Sequence, residues 1–130
     1  MVMNDTLAGA LSKINQYERL GKPECNIIPA SKTLADVLGI LKKFGYIKGY
    51  DKVKEGGKSS FNVKLNGNIN VCGVIKPRYA VKRDEYEKYE KRYLPSKNMG
   101  IMIVSTVNGM MNHDKAKEKK IGGRLISYCY

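Results

Sequence analysis

Apolar residues at helical spacing open the chain. Leu7, Leu11, Ile14 and Tyr17 form one stripe, Asn4 or Asp5 stands before it as a cap, and Gly21 stops it. A short apolar run at residues 25–28 reads as a strand ended by Pro29. Ser31 caps a second helix with Leu34, Val37, Leu38 and Leu41 on one face and Gly45 at its end. The period then falls from helical to alternating. Residues 46–53 and 60–65 read as strands joined by a turn at Gly56-Gly57. Asn66-Gly67-Asn68 is the clearest break in mid-chain, and the module boundary is placed there, giving modules 1–67 and 68–130. Beyond it come an apolar strand over 69–75, a charged helix over 82–93 closed by Leu94-Pro95, and a strong strand over 101–105. A short basic helix over 114–120 and a final strand over 125–130 complete the chain. The expected class is α+β: an N-terminal α-β-α-β-β module packed against a mostly β module with a short helix.

Charge changes this picture most. The 130 residues carry 24 Lys and Arg against 12 Asp and Glu, a net charge of +12. Such an excess is the electrostatic footprint of a nucleic-acid binder. A membrane partner is not expected: no apolar run approaches the roughly 18 residues of a span. Nor does any helix oppose a basic face to a Trp- or Phe-rich one. No signal peptide is apparent at the start, so a soluble cytoplasmic protein is expected. Cys25, Cys72 and Cys129 are far apart and the sole histidine is His113. No metal site and no cofactor are therefore expected, and the thiols read as small buried apolar residues.

An enzyme is not expected either. His113 beside Asp114 reads as a solvated turn. Asp84, Glu85, Glu87 and Glu90, interleaved with Lys82, Arg83, Lys88 and Lys91, read as paired charges on an exposed helix. Gly122-Gly123 lacks the Lys-Ser/Thr of a phosphate loop. Residues 100–117 are more informative. A buried strand delivers Ser105 and Thr106 to its end, Asn108-Gly109 turns tightly with Gly109 at positive φ, and Met110 and Met111 return to the core. A strand end with small hydroxyls and bare backbone can approach base edges and 2′-hydroxyls closely.

The run Gly100-x-x-Ile103-Val104-Ser105-Thr106-x-x-Gly109-Met110-Met111, with Ala116-Lys117 and Gly122-Gly123-Arg124 after it, resembles the signature of the small-subunit ribosomal protein eight family. Residues 5–11 and Pro29-x-Ser31-Lys32 resemble it too, so the likeness covers nearly the whole chain. Lys76-Pro77-Arg78 through Tyr93-Leu94-Pro95 looks more like the archaeal and eukaryotic branch. The resemblance implies direct binding to a stem with an internal loop in the central domain of small-subunit rRNA, and an early part in subunit assembly. Carried over by position, Ser105, Thr106, Asn108 and Gly109 would read the irregular core of the stem, with Gly122, Gly123 and Arg124 beside them. Lys76, Arg78 and Tyr79 would line the same face, while Ser31, Lys32 and Asn4 would touch backbone further along. Neighbouring small-subunit ribosomal proteins, and in some members the protein's own mRNA, are the further partners implied.

Two residues depart from the common bacterial pattern. Val107 stands where a third hydroxyl is frequent, and Arg124 where Glu is; Arg adds a phosphate or base contact that Glu lacks. The alternative function is a basic regulatory protein binding DNA or mRNA through the second helix. That helix offers Lys32, Asp36, Lys42 and Lys43 rather than the Arg, Asn or Gln of major-groove reading. A purely protein-binding adaptor would need an exposed apolar patch, which the charge argues against.

Overall fold

The computed structural model describes residues 6–27, 32–75, 78–95 and 99–130, and the chain divides into two compact units, Met1–Cys72 and Gly73–Tyr130. The expected caps Asn4, Asp5 and Ser31 lie outside the described residues.

In the first unit the helical stripes become α1 (Thr6–Arg19) and α2 (Lys32–Lys43). They bury Leu7, Leu11 and Ile14 from one, and Leu34, Val37, Leu38 and Leu41 from the other. Both end in the same device. Gly21 and Gly45 take φ of 73° and 79°, and the next residue's N–H reaches back to a carbonyl in the last turn, Lys22 to Tyr17 at 3.0 Å and Tyr46 to Leu41 at 2.9 Å. Strands β1 (Glu24–Ile27), β2 (Ile47–Glu55) and β3 (Lys58–Leu65) form an antiparallel sheet in the order β1-β3-β2. Cys25, Ile27, Ile47, Phe61, Val63 and Leu65 supply its buried positions. The Gly56-Gly57 turn joins β2 to β3 with both glycines at positive φ, as a two-residue hairpin requires.

The break at Asn66-Gly67-Asn68 is tied down on both sides. The Asn66 and Asn68 amides donate to the Gly45 carbonyl at 3.2 and 2.8 Å, and the Glu18 carboxylate accepts the N–H groups of Gly67 and Ile69. This fits the contraction of the strand expected over 69–75 to β4 (Cys72–Val74): its leading N–H, that of Ile69, already serves a helix side chain.

The second unit adds β5 (Ala80–Val81), α3 (Tyr86–Tyr93), β6 (Ile101–Thr106), β7 (Gly109–Asn112), α4 (His113–Glu118) and β8 (Gly123–Cys129). The sheet runs β4-β8-β6-β7, with β5 also on β8. Helix α3 starts later than the charge pattern suggested. A turn closes ahead of it, with the Lys82 N–H donating to Glu85 Oε1 at 2.9 Å and the Glu85 N–H to the Lys82 carbonyl at 3.0 Å. One sheet face carries Met102, Val104, Met111 and Leu125 into a buried cluster with Tyr86, Tyr89 and Ala116 of α3 and α4. The class is therefore α+β, with the helix-and-strand unit first and the mainly β unit second. Among the described residues no helix is long and apolar enough to cross a membrane.

Candidate nucleic-acid interface

Strand β6 is central because β7 and β8 flank it. Alternation along β6 sends Met102, Val104 and Thr106 to the cluster side and Ser105 to the other. Residues directly paired across an antiparallel ladder share a face. Ala80 pairs Arg124, Arg124 pairs Ser105, and Ser105 pairs Met110. The four strands thus present one row, Ala80–Arg124–Ser105–Met110, near the β6–β7 turn. Ala80 and Arg124 are exposed, and Ser105 and Met110 are half-buried. Among the described residues the Ser105 hydroxyl has no hydrogen bond and Arg124 has no ion pair. Both are free to meet a ligand.

The two adjacent hydroxyls differ. Thr106 Oγ1 donates to the Gly109 carbonyl at 2.8 Å and accepts the Asn108 N–H at 3.1 Å. It locks the turn from within, a local Ser/Thr bond of the ordinary kind. The turn also sits one residue earlier than Asn108-Gly109. Thr106 pairs Gly109, so Val107 and Asn108 are the loop. Neither has positive φ, and the left-handed step falls on Gly109 at 103°, the place for a bulge glycine after a type I turn. Val107 is left 93% exposed at the tip, with Asn108 exposed beside it.

Gly122 and Gly123 make the row possible. A Cβ on Gly122 would lie 2.3 Å from the Val81 carbonyl oxygen, and one on Gly123 would lie 2.4 Å from that of Ser105. Only side-chain-free backbone passes between β5 and β6 there and brings Arg124 beside Ser105.

The other expected site residues fall elsewhere. Tyr79 turns to the helix side. Its ring lies 5.4 Å from that of Tyr89 and 5.5 Å from the Arg92 guanidinium, while its carbonyl accepts the Leu125 N–H at 3.0 Å. It supports β8 through its backbone but does not share the Ser105 face. Arg78 is exposed just ahead of β5. Lys32, exposed at the start of α2, belongs to the first unit. Asn4, Ser31 and Lys76 lie outside the described residues.

Two readings of polar residues need correction. His113 is not on a solvated turn: it is fully buried, because it starts α4 on the side packed against β6. Glu90 is not a solvated helix charge either. It is 4% exposed, and Lys117 of α4 donates to its Oε1. The charge pattern of α3 is periodic enough to suggest a wet face, but one of its turns meets α4. His113 Nδ1 accepts the Met102 N–H at 3.1 Å. Its Nε2 lies 3.0 Å from Glu90 Oε1 and 3.5 Å from Asp114 Oδ1, with no aligned hydrogen bond. Burial holds the imidazole below its usual pKa of 6.5, against the opposing pull of Asp114 and Glu90.

Glu90, His113 and Asp114 bring one ligand atom each within 4.8 Å, the composition of a metal site. The tautomer is wrong for one. A neutral imidazole that accepts the Met102 N–H at Nδ1 carries its proton on Nε2, the atom that would have to ligate. The Lys117 ammonium moreover occupies the space on Glu90. The three thiols are buried, and burial pushes Cys72 up to about 12, far from a reactive thiolate. Compared with known families, the chain matches the family model described as ribosomal protein S8 over residues 5–130.

Proposed function

The chain belongs to the ribosomal protein S8 family, RNA-binding constituents of the small ribosomal subunit, and on that premise we propose that it binds a stem in the central domain of small-subunit rRNA directly and early in assembly. Its part in the subunit is structural. The observation that carries this reading is the cross-strand row in which half-buried Ser105 offers an uncommitted hydroxyl between Met110 and exposed Arg124, next to a rigid turn. RNA duplexes hide their bases in a deep major groove, so a protein reads sequence at irregular or minor-groove features that small groups can approach. Ser105 suits the sugar and base contacts that specify, and Arg124 suits phosphate or a guanine edge. A stem of the same shape in the protein's own mRNA would be taken by the same face. Residues 76–95 support a place in the archaeal and eukaryotic branch.

A filter-binding titration against the isolated central-domain stem tests the reading. Binding is expected without any other protein, to weaken steeply with salt as counterions are released, and to exceed binding to an arbitrary duplex of equal length. Equal affinity for both duplexes overturns it.

A further inference from the structure

A cavity of about 330 Å³ in the second unit is lined by Arg83, Asp84, Lys117 and Lys120. Three cations face one carboxylate. Each cation is placed by a different device. Arg83 stands on the turn between β5 and α3 and has no bond or ion pair among the described residues. Lys117 is braced from behind by buried Glu90, with Asp114 Oδ1 3.8 Å away, and it keeps donors for a further partner. Lys120 follows α4 in the left-handed conformation, at φ 56°, the only such non-glycine among the described residues. It occupies the position that glycine takes after α1 and α2, and the same reach-back closes the helix, Ile121 N–H to the Ala116 carbonyl at 3.2 Å. A side chain there is strained. Here the strain aims a lysine at the cavity, and Lys120 too is unpaired among the described residues. The Tyr86 hydroxyl fixes the segment by donating to the Ile121 carbonyl at 2.9 Å.

Lys117 is already paired with Glu90, so Arg83 and Lys120 are the unpaired like charges gathered in this concavity, and they repel unless an anion joins them. Arg83 brings a planar fork and the lysines bring point charges, the donor set for a phosphate. The volume is at the low end for small-ligand sites, roughly 300–1,000 Å³, and exceeds what a lone ion fills. We infer that this pocket is a phosphate-binding site distinct from the Ser105–Arg124 row. It takes either a phosphodiester of bound RNA, which rests on the RNA-binding reading above, or a free polyphosphate.

The test uses the Lys120→Gly and Arg83→Gln double variant of the full chain. Glycine relieves the strain at residue 120, so lost binding cannot be put down to unfolding, and a urea titration verifies this. Against protein-free small-subunit rRNA, the double variant should bind roughly tenfold more weakly at 0.1 M salt. Its log affinity against log salt should be shallower by about one. Ser105→Ala should leave that slope unchanged. In a parallel arm, sodium tripolyphosphate is titrated into RNA-free protein and the amides of residues 119–121 are followed by NMR. A shallower slope assigns the site to RNA. Saturable tripolyphosphate shifts, abolished in the double variant but with an unchanged rRNA slope, assign it to free polyphosphate. No change in either arm overturns the site. If wild type binds no rRNA, the proposed function fails, and the tripolyphosphate arm alone decides the pocket.

Discussion

The β6–β7 hairpin carries polar groups at both ends, and the two ends treat them oppositely. At the turn, the Ser105 hydroxyl and Arg124 guanidinium have no partner among the described residues. Beyond the far end of β7, buried His113 accepts the Met102 N–H and Lys117 donates to buried Glu90, whose Oε1 lies 3.0 Å from His113 Nε2 without an aligned hydrogen bond. A buried polar group must be satisfied internally or it destabilises the fold, whereas an exposed one can wait for a ligand. One hairpin therefore separates a stability-bearing polar cluster from a recognition-bearing one. A substitution at either end should move one property and spare the other.

The largest expected effect would break the separation. Gly123→Ala places a methyl group 2.4 Å from the Ser105 carbonyl oxygen, so the sheet must open. We expect a loss of about 3 kcal/mol or more, read from the urea midpoint, together with RNA binding. A midpoint within error of wild type would refute the threading of β8.

Ser105→Ala sharpens it. Affinity for the cognate stem should fall by ~1–3 kcal/mol, because a buried RNA partner loses its hydrogen bond, with the melting curve unmoved. Thr106→Val should behave in the reverse sense. The lost turn lock should reduce stability by about 1 kcal/mol, and affinity should follow stability. If both variants fold as wild type and bind cognate RNA as wild type, the face is misassigned.

The buried end predicts a pH dependence. The His113 pKa is depressed in the folded state, so below about 6.5 the unfolded chain takes up a proton that the folded chain resists. Stability from this group is present above that value and is lost as pH falls through it. Urea midpoints of wild type and His113→Gln should diverge above pH 6.5 and converge below it. Parallel curves would mean that His113 does not titrate in this way. The smallest effect expected is a gain. Lys120→Gly should stabilise the fold by about 1 kcal/mol by removing left-handed strain.

Much of the scaffold was legible in the sequence, and for identifiable reasons. Leu34, Val37, Leu38 and Leu41 write a helical period, and the glycines at 21, 45 and 56–57 mark stops and a turn whose conformations only glycine takes easily. The order of elements in the second half was legible too, apart from β5, whose two residues are too few to show a period, and β7, which was read only as a return to the core after the turn. What failed was the direction of individual side chains, set by contacts between distant segments or, at Thr106, by the local closure of a turn. Nothing local in Glu90 says that Lys117 and His113 will enclose it. Nothing in Ser105-Thr106 says that one hydroxyl faces out and the other closes its own turn. Tyr79 carries no mark of its turn toward Arg92. In the candidate site, the residue types were readable and their directions were not.

The two glycines before Arg124 have one more consequence. Because side chains alternate, a strand that slips by one residue along its partner inverts both of its faces. Strand β8 is held against slipping by an absence. Moving it by one residue either way brings Ile121 or Arg124 into a gap where a Cβ meets a carbonyl oxygen at 2.3–2.4 Å. The pair acts as an index mark that admits one alignment, and in that alignment the guanidinium stands next to the serine. The chemistry at the surface is thus set by two positions that contribute no side chain to it.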